Sequence, residues 1–488
     1  MFEPLLMFAA STFLLALVLH RQAIRLGFKW KLLDIPTSRR RHIKPTPIIG
    51  GLGIFIAWGV SLTIYCFHYP EWYEAVKPTL FIVTGGVLTL MLIGIVDDLR
   101  GLSPKVKLLV EFLVAAFVLV FEPNIHQLML HWQDQLGIFV WALGLIWIVG
   151  ITNAINLIDG LDGLAAGTSL LVAGSILVLS VWSGDEAQFG IVAISLLIPA
   201  IMSFLRFNWN PAKIFLGDNG SLALGFMLAT TSLMCRPQSK SWVMIASVIL
   251  MLGYPIMDMG LSVIRRRKNH LPLFKADRTH LHFRVLRIGL TVKQTSFLLL
   301  SISLFLQVCA LSINLMSPPT AALGITVVCF SISTLLFVIM SVERWRVRVL
   351  ANRLQENRIG SDQSPVERHY TLMKIDLVPL LEVGVFEEEE RCQKIMSALE
   401  LMIRSTLKRT DRLIITKNHL IIVLADLDYE DQQSLESVQF RYKEKITSFL
   451  ELYNLQVSLA SLPITFEKRS MILHEGESAG ADLPKLAA

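Results

Sequence analysis

TLFIVTGGVLTLMLIGIVDDLRGLSPKVK (79–107) is the stretch from which the rest of the chain can be read. Residues 79–96 carry no charge, and the run then closes on the adjacent pair Asp97 and Asp98, a glycine turn and two lysines. A membrane-spanning helix needs about 20 mostly apolar residues. The stretch therefore predicts a span that delivers two carboxylates to one membrane surface, where ionised groups are costly unless they serve a purpose. Adjacent carboxylates repel, so burying both calls for a cation or a proton between them. On its own, a solvated helix end with an aspartate paired to Arg100 accounts for the stretch as well.

Windows of the same kind lie near 2–20, 48–66, 106–121, 136–153, 164–182, 188–205, 220–235, 242–263, 295–316 and 320–340, which makes eleven expected spans. The segment at 106–121 is the weakest, because it contains Glu111. Of the 488 residues, 53% are hydrophobic and 17% charged, with a mean hydropathy of +0.56. That composition excludes a soluble globular protein and predicts an all-α polytopic membrane body. Lysines and arginines stay on the cytoplasmic side. Loops 21–47, 97–107, 154–163, 206–219 and 264–294 hold 22 of them against 3 in the alternate loops, which predicts an outside N-terminus and a cytoplasmic C-terminus. The first segment has Glu3 and no basic leader, so it reads as an uncleaved span. Five scattered cysteines fit neither a disulfide framework nor a zinc site. The net charge of +6 suits anionic membrane lipids. Nucleic-acid binding is not expected, since no basic stripe with interleaved aromatics occurs.

Four further polar clusters fall on the same predicted face. TNAINLIDGLDGLAAG (152–167) spaces Asn153, Asn156, Asp159 and Asp162 three apart, roughly on one side of a helical turn, with no Lys or Arg to compensate them. FNWNPAKIFLGDNGS (207–221) places Asp218 at a helix start, a favourable neighbourhood for phosphate. It also sets Asn208 and Phe215 on the preceding loop, where a ring could stack on a base or simply pack. DIPTSRRRHIKPTPIIGG (34–51) offers Arg39, Arg40, Arg41, His42 and Lys44, and KADRTHLHFRVLRIG (275–289) offers Arg278, His280 and His282. Basic groups and histidines suit a diphosphate. Acids, amides and cations gathered at one surface, without a thiol or serine nucleophile motif, fit metal-assisted attack of one phosphate on another. A transporter or lipid flippase would instead place charges at mid-span or break its helices.

After residue 341 the composition becomes that of a soluble domain. A linker over 342–369 precedes strand and helix signals over 370–466: strands at 370–376, 411–416, 419–426 and 455–464, helices near 386–409 and 429–452, and a turn at Lys417-Asn418. The order βαββαβ predicts a ferredoxin-like cytoplasmic α+β domain, with a disordered tail over 467–488.

The five clusters, in this order on these spans, closely resemble the polyprenyl-phosphate N-acetylhexosamine-1-phosphate transferase family. DRTHLHFRVLRIGL (277–290) is similar to the DRxHLHHRL signature of its undecaprenyl-phosphate N-acetylglucosamine branch. The resemblance covers residues 1–340. It implies an inner-membrane enzyme that transfers a hexosamine 1-phosphate, N-acetylglucosamine 1-phosphate first, from a UDP-sugar to undecaprenyl phosphate. It also implies release of UMP, use of Mg²⁺ with Mn²⁺ as an alternative, and a role in O-antigen or related cell-surface polysaccharide synthesis. Asp97 would activate the lipid phosphate beside Asp98. Asp218 and Asn156 would hold the metal. Phe215 would stack on uracil, with Asn208 and Asp162 at the nucleoside. Lys107, Arg278, His280 and His282 would hold phosphates, and Asn153, Asp159, Arg39 and His42 complete the expected substrate-binding set. One departure is plain: Phe283 stands where the family has its last histidine. The C-terminal domain faintly resembles a degenerate GGDEF domain, with Lys417-Asn418-His419 at the signature's place. A binding, regulatory or dimerising module, the last giving a homodimer, is expected there in place of cyclase chemistry.

Overall fold

The computed structural model describes residues 2–34, 45–184, 188–235, 241–268 and 280–359, then 367–376, 412–415, 419–424, 464–472 and isolated helical positions between 399 and 446. The chain divides into two compact units, Met1–Leu33 with Thr46–Arg346, and Asp34–Pro45 with Val347–Ala488.

The first unit is helical. In chain order it holds α1 (Phe2–Lys29), α2 (Gly50–His68), α3 (Pro70–Arg100), α4 (Pro104–Phe121), α5 (Pro123–Leu136), α6 (Phe139–Ile158) and α7 (Leu164–Ser183). There follow α8 (Gln188–Asn208), α9 (Gly217–Met234), α10 (Ser241–Met251), α11 (Gly253–Lys268), α12 (Leu281–Arg287), α13 (Val292–Ile313) and the start of α14 (Pro318–Ile359). Proline opens α3, α4 and α5, where its missing N–H costs nothing. Side chains supply the caps: Ser103 for α4, Glu122 for α5, and a Thr291–Gln294 capping box for α13.

Among the described residues eight helices are long and apolar enough to cross a membrane, and two bent pairs would raise that number to ten. The chain is a polytopic membrane protein. Two expected spans differ from a straight helix. The segment at 106–121 is α4, which turns by 80° into α5, so a helix occupies the expected outer loop 122–135. The segment at 242–263 breaks into α10 and α11 at an angle of 74°. Gly253 and Pro255 lie in the first turn of α11, just after that break, and proline removes one helix hydrogen bond. The expected span 220–235 is α9, whose polar first turn and Thr230-Thr231-Ser232 keep it out of the eight.

Low apolarity suits α9, because protein and not lipid surrounds most of it. Nearly all its side chains are buried, and it packs against α3 and α6. Between helices in a bilayer the hydrophobic effect supplies little drive, so small residues that let backbones approach carry the packing. Gly94 of α3 is such a residue: a side-chain carbon there would stand 2.4 Å from the Asn219 backbone. This approach brings the end of α3 against the start of α9.

In the second unit, β1 (Glu367–Asp376), β2 (Arg412–Ile415), β3 (His419–Leu424) and β4 (Ile464–Ile472) form one antiparallel sheet in the order β2-β3-β1-β4. The fourth strand overlaps the expected one at 455–464 at Ile464 and takes in residues read as the start of a tail, while 455–463 lie outside the described residues. The expected linker is likewise helical as far as Ile359, in α14. The turn at Lys417-Asn418 lies outside the described residues. Isolated helical positions at 399, 402–403, 435–436, 438–439, 442, 444 and 446 fall inside the two expected helices.

Candidate active site

The end of α3, the starts of α4 and α9, and the end of α6 meet at one end of the first unit. Asp97 leaves the last turn of α3, and its Oδ1 accepts the Leu102 amide at 2.6 Å across the Gly101 turn. Lys107, on the first turn of α4, donates to Asp97 Oδ2 at 3.1 Å and also to Asp218 Oδ2. Asn156, on the last turn of α6, donates through Nδ2 to Asp218 Oδ1 at 2.9 Å and to Ser221 Oγ at 2.8 Å. Four expected site residues thus form a single hydrogen-bonded group drawn from four helices.

Asp98 faces the other way from Asp97. Its Oδ1 accepts the Asp218 amide at 3.1 Å, and its Oδ2 accepts the Asn219 amide at 3.2 Å and Asn219 Nδ2 at 2.8 Å. It therefore caps α9 from a different helix, with its charge at the positive end of the helix dipole. The sequence pairs Asp98 with Asp97 as a catalytic group, whereas here it holds the turn that carries Asp218. Gly217, at φ +73°, makes that turn, and a side-chain carbon there would meet the Ile48 carbonyl at 2.3 Å.

Two further expected contacts organise loops. Asn208 is buried, accepts the Gly163 amide at 2.9 Å and donates to the Ile214 carbonyl at 2.8 Å. Asp162 Oδ2 accepts from Asn210 Nδ2 at 2.8 Å and from the Ala212 amide at 3.0 Å. Together they set the loop bearing Phe215, whose backbone pairs with Pro47 at 2.7 Å and Gly50 at 3.0 Å and whose ring is half-buried. Asp159 caps the C-terminus of α6. Burial, then the charges of Asp218, Asp98 and Asp162, push its carboxyl up to about 8.

A cavity of about 460 Å³ opens beside this group. Asp97, Lys107, Glu111, Asn153, Asn156, Arg266 and His280 give its polar lining, and Leu108, Val149, Leu157, Met259 and Val263 give an apolar wall. His280 bonds through Nδ1 to Asp258 Oδ2 at 3.0 Å, and the Leu281 amide donates to Asp258 Oδ1 at 2.5 Å. Asp258 is fully buried on α11. His282 does not line the cavity: it is buried, stacked parallel to His280 at 5.7 Å, and seated against Gly160. Arg39, His42 and Arg278 lie outside the described residues.

Asp258 and Glu111 are the residues that the sequence reading leaves out. Each had a signal, a carboxylate inside an otherwise apolar segment, which in a membrane marks a functional position. Among the described residues no three His, Cys, Asp or Glu side chains converge as a ready-made metal site. Two carboxylates and an amide oxygen nonetheless suit Mg²⁺, which completes its shell with water and substrate phosphate.

The helical membrane body thus gathers acids, amides and a lysine where α3, α4, α6 and α9 meet. A family model described as Glycosyl transferase family 4 matches residues 80–236, the segment that contributes Asp97, Lys107, Asn156 and Asp218. A Bacillus subtilis (strain 168) protein described as probable undecaprenyl-phosphate N-acetylglucosaminyl 1-phosphate transferase is 35% identical over 298 residues, which cover 60% of this chain and 79% of the relative. The undecaprenyl-phosphate alpha-N-acetylglucosaminyl 1-phosphate transferase of Escherichia coli O157:H7 is 27% identical over 72% of this chain and 96% of its own. A phospho-N-acetylmuramoyl-pentapeptide-transferase of Staphylococcus epidermidis is 31% identical over 56% of this chain and 87% of its own. The chain belongs to glycosyl transferase family 4, the polyprenyl-phosphate hexosamine-1-phosphate transferases.

Proposed function

We propose that this protein transfers N-acetylglucosamine 1-phosphate from UDP-N-acetylglucosamine to undecaprenyl phosphate and releases UMP, with Mg²⁺ as cofactor. The supporting observation is the convergence of Asp97, Lys107, Asn156 and Asp218 beside a cavity lined by both polar and apolar side chains. The polar lining suits the phosphates and the apolar wall the first isoprene units. In the reaction an oxygen of the lipid phosphate attacks the sugar-bearing phosphorus of the UDP-sugar. The phosphoanhydride bond to UMP breaks as a new one forms, so bonds and charge balance. Positioning and charge neutralisation supply most of such catalysis.

In this reading Asp97, facing the cavity, orients the attacking phosphate, and Lys107 and His280 donate to phosphate oxygens. With Nδ1 engaged by Asp258, His280 presents Nε2. Asp218 and Asn156 would hold Mg²⁺, which when bound neutralises the diphosphate. The loop held by Asn208 and Asp162 would present Phe215 to the uracil. The relatives' names favour N-acetylglucosamine over the muramoyl-pentapeptide donor, as does the DRTHLHF signature. The basic loops favour a cytoplasmic site in the inner membrane, at the first membrane step of a cell-surface polysaccharide such as O-antigen. The sheet order β2-β3-β1-β4 supports a ferredoxin-like C-terminal domain.

The test is incubation of the purified protein with undecaprenyl phosphate, Mg²⁺ and a panel of UDP-hexosamines. UMP and a lipid-linked sugar diphosphate are expected with UDP-N-acetylglucosamine. Asp97→Asn and Asp218→Asn should each lower turnover by at least about 10²-fold, while leaving the protein folded. Absence of product with every donor, or near-normal turnover in both variants, removes this assignment.

A further inference from the structure

Glu111 lies one helical turn beyond Lys107 on α4, and both line the same cavity. Residues four apart share a helix face. Helical side chains lean toward the N-terminus, so the Glu111 carboxylate leans back over the turn that carries Lys107. Glu111 is only 2% exposed. Its Oε2 accepts from Asn153 Nδ2, while its Oε1 is enclosed and has no hydrogen-bond partner among the described residues. A buried carboxylate oxygen without a donor is a standing cost. The nearby cation is already engaged: Lys107 Nζ bridges Asp97 and Asp218.

That bridge also bears on the metal. Both oxygens of Asp218 are taken by donors, Oδ2 by Lys107 and Oδ1 by Asn156. A divalent cation held by Asp218 would repel the ammonium bonded to the same carboxylate, leaving Lys107 with Asp97 and with the unpartnered Glu111 Oε1 on its own helix face. We infer that Lys107 is a tethered cation with two berths. It bridges Asp97 and Asp218 before the divalent cation arrives and gives one of its three N–H groups to Glu111 Oε1 when that cation takes Asp218, the others remaining for substrate phosphate, so Glu111 sets the cation affinity of the site. This rests on the cation reading above.

The test titrates Mn²⁺ into the purified full-length protein, with bound ion read by electron paramagnetic resonance and folding checked by thermal unfolding. Lys107→Met should tighten Mn²⁺ binding about tenfold by removing the competitor. Glu111→Gln should weaken it about tenfold in the wild-type background and less than about twofold in the Lys107→Met background, since the berth matters only while the lysine is present. Where Glu111→Gln does not fold, Glu111→Asp keeps the charge, shortens the reach and should weaken binding in the same background-dependent way. Equal weakening in both backgrounds shows a plain long-range charge effect and overturns the inference, as does failure of Lys107→Met to tighten binding. A wild-type protein that binds no Mn²⁺ at all overturns the cation reading, and this inference with it.

Discussion

Asp258 is buried and accepts two hydrogen bonds, from His280 and the Leu281 amide. Asp258→Asn keeps the shape but turns an NH₂ toward one of the two donors, His280 Nδ1 or the Leu281 amide. An unsatisfied buried donor costs about 1–3 kcal/mol. We expect a lower unfolding temperature together with a fall of about tenfold in kcat/KM, checked by thermal unfolding in detergent and by UMP release. Unchanged values for both would show that the buried carboxylate does not hold His280. Asp159 gives a second prediction at this scale. Its carboxyl sits near 8 in the fold against 3.8 as the ordinary value. A group raised in this way binds its proton more tightly folded than unfolded, so it stabilises the fold at low pH. That contribution is lost as pH rises from about 4 through 8. Without divalent cation, thermal stability should therefore decline across this window, and Asp159→Asn should flatten the decline. A parallel decline in the variant would assign the effect to other groups.

At the scale of the element, the informative pair is Asp97 and Asp98. They are neighbours in sequence and belong to different tasks, because successive residues on a helix point about 100° apart. Asp98→Ala removes the acceptor of two backbone amides at the start of α9, and losing such a cap costs about 0.5–2 kcal/mol. Asp97→Ala removes a group that faces the cavity. The first variant should lower the unfolding temperature more than the second, which gives up a single backbone acceptor at Leu102, and the second should lose more turnover. A reversed order would contradict the division of labour between them. The break between α10 and α11 belongs to this scale too. A continuous span was a fair reading of 242–263, since its apolar run is unbroken apart from Asp258, but hydropathy does not register helix direction. The bend leaves Asp258 on α11, where His280 meets it.

Across the whole molecule, the site is built within the first unit: all its described members lie between Thr46 and Arg346. A chain ending at residue 346 should therefore retain UMP release within about threefold of the full-length protein, measured at equal amounts of folded enzyme. A larger loss would give the C-terminal unit a part in the transferase reaction.

Sequence alone was enough to establish a membrane body, from apolar runs long enough to span a bilayer, and to gather the acids, amides and histidines at the ends of those runs. It was also enough for the family, because the clusters and their order are local properties of the chain. Orientation within the site was not local. Lys107 meets Asp218 across 111 residues, and Asn156 meets it across 62. Helix rotation and close packing at Gly94 decide that Asp97 faces the cavity while Asp98 caps α9. Nor was it local that Asn208 and Asp162, expected at the nucleoside, bond backbone amides of neighbouring loops. Only the tertiary structure brought in Glu111 and Asp258, since a lone carboxylate in an apolar run gains a role when a partner from another helix is packed against it.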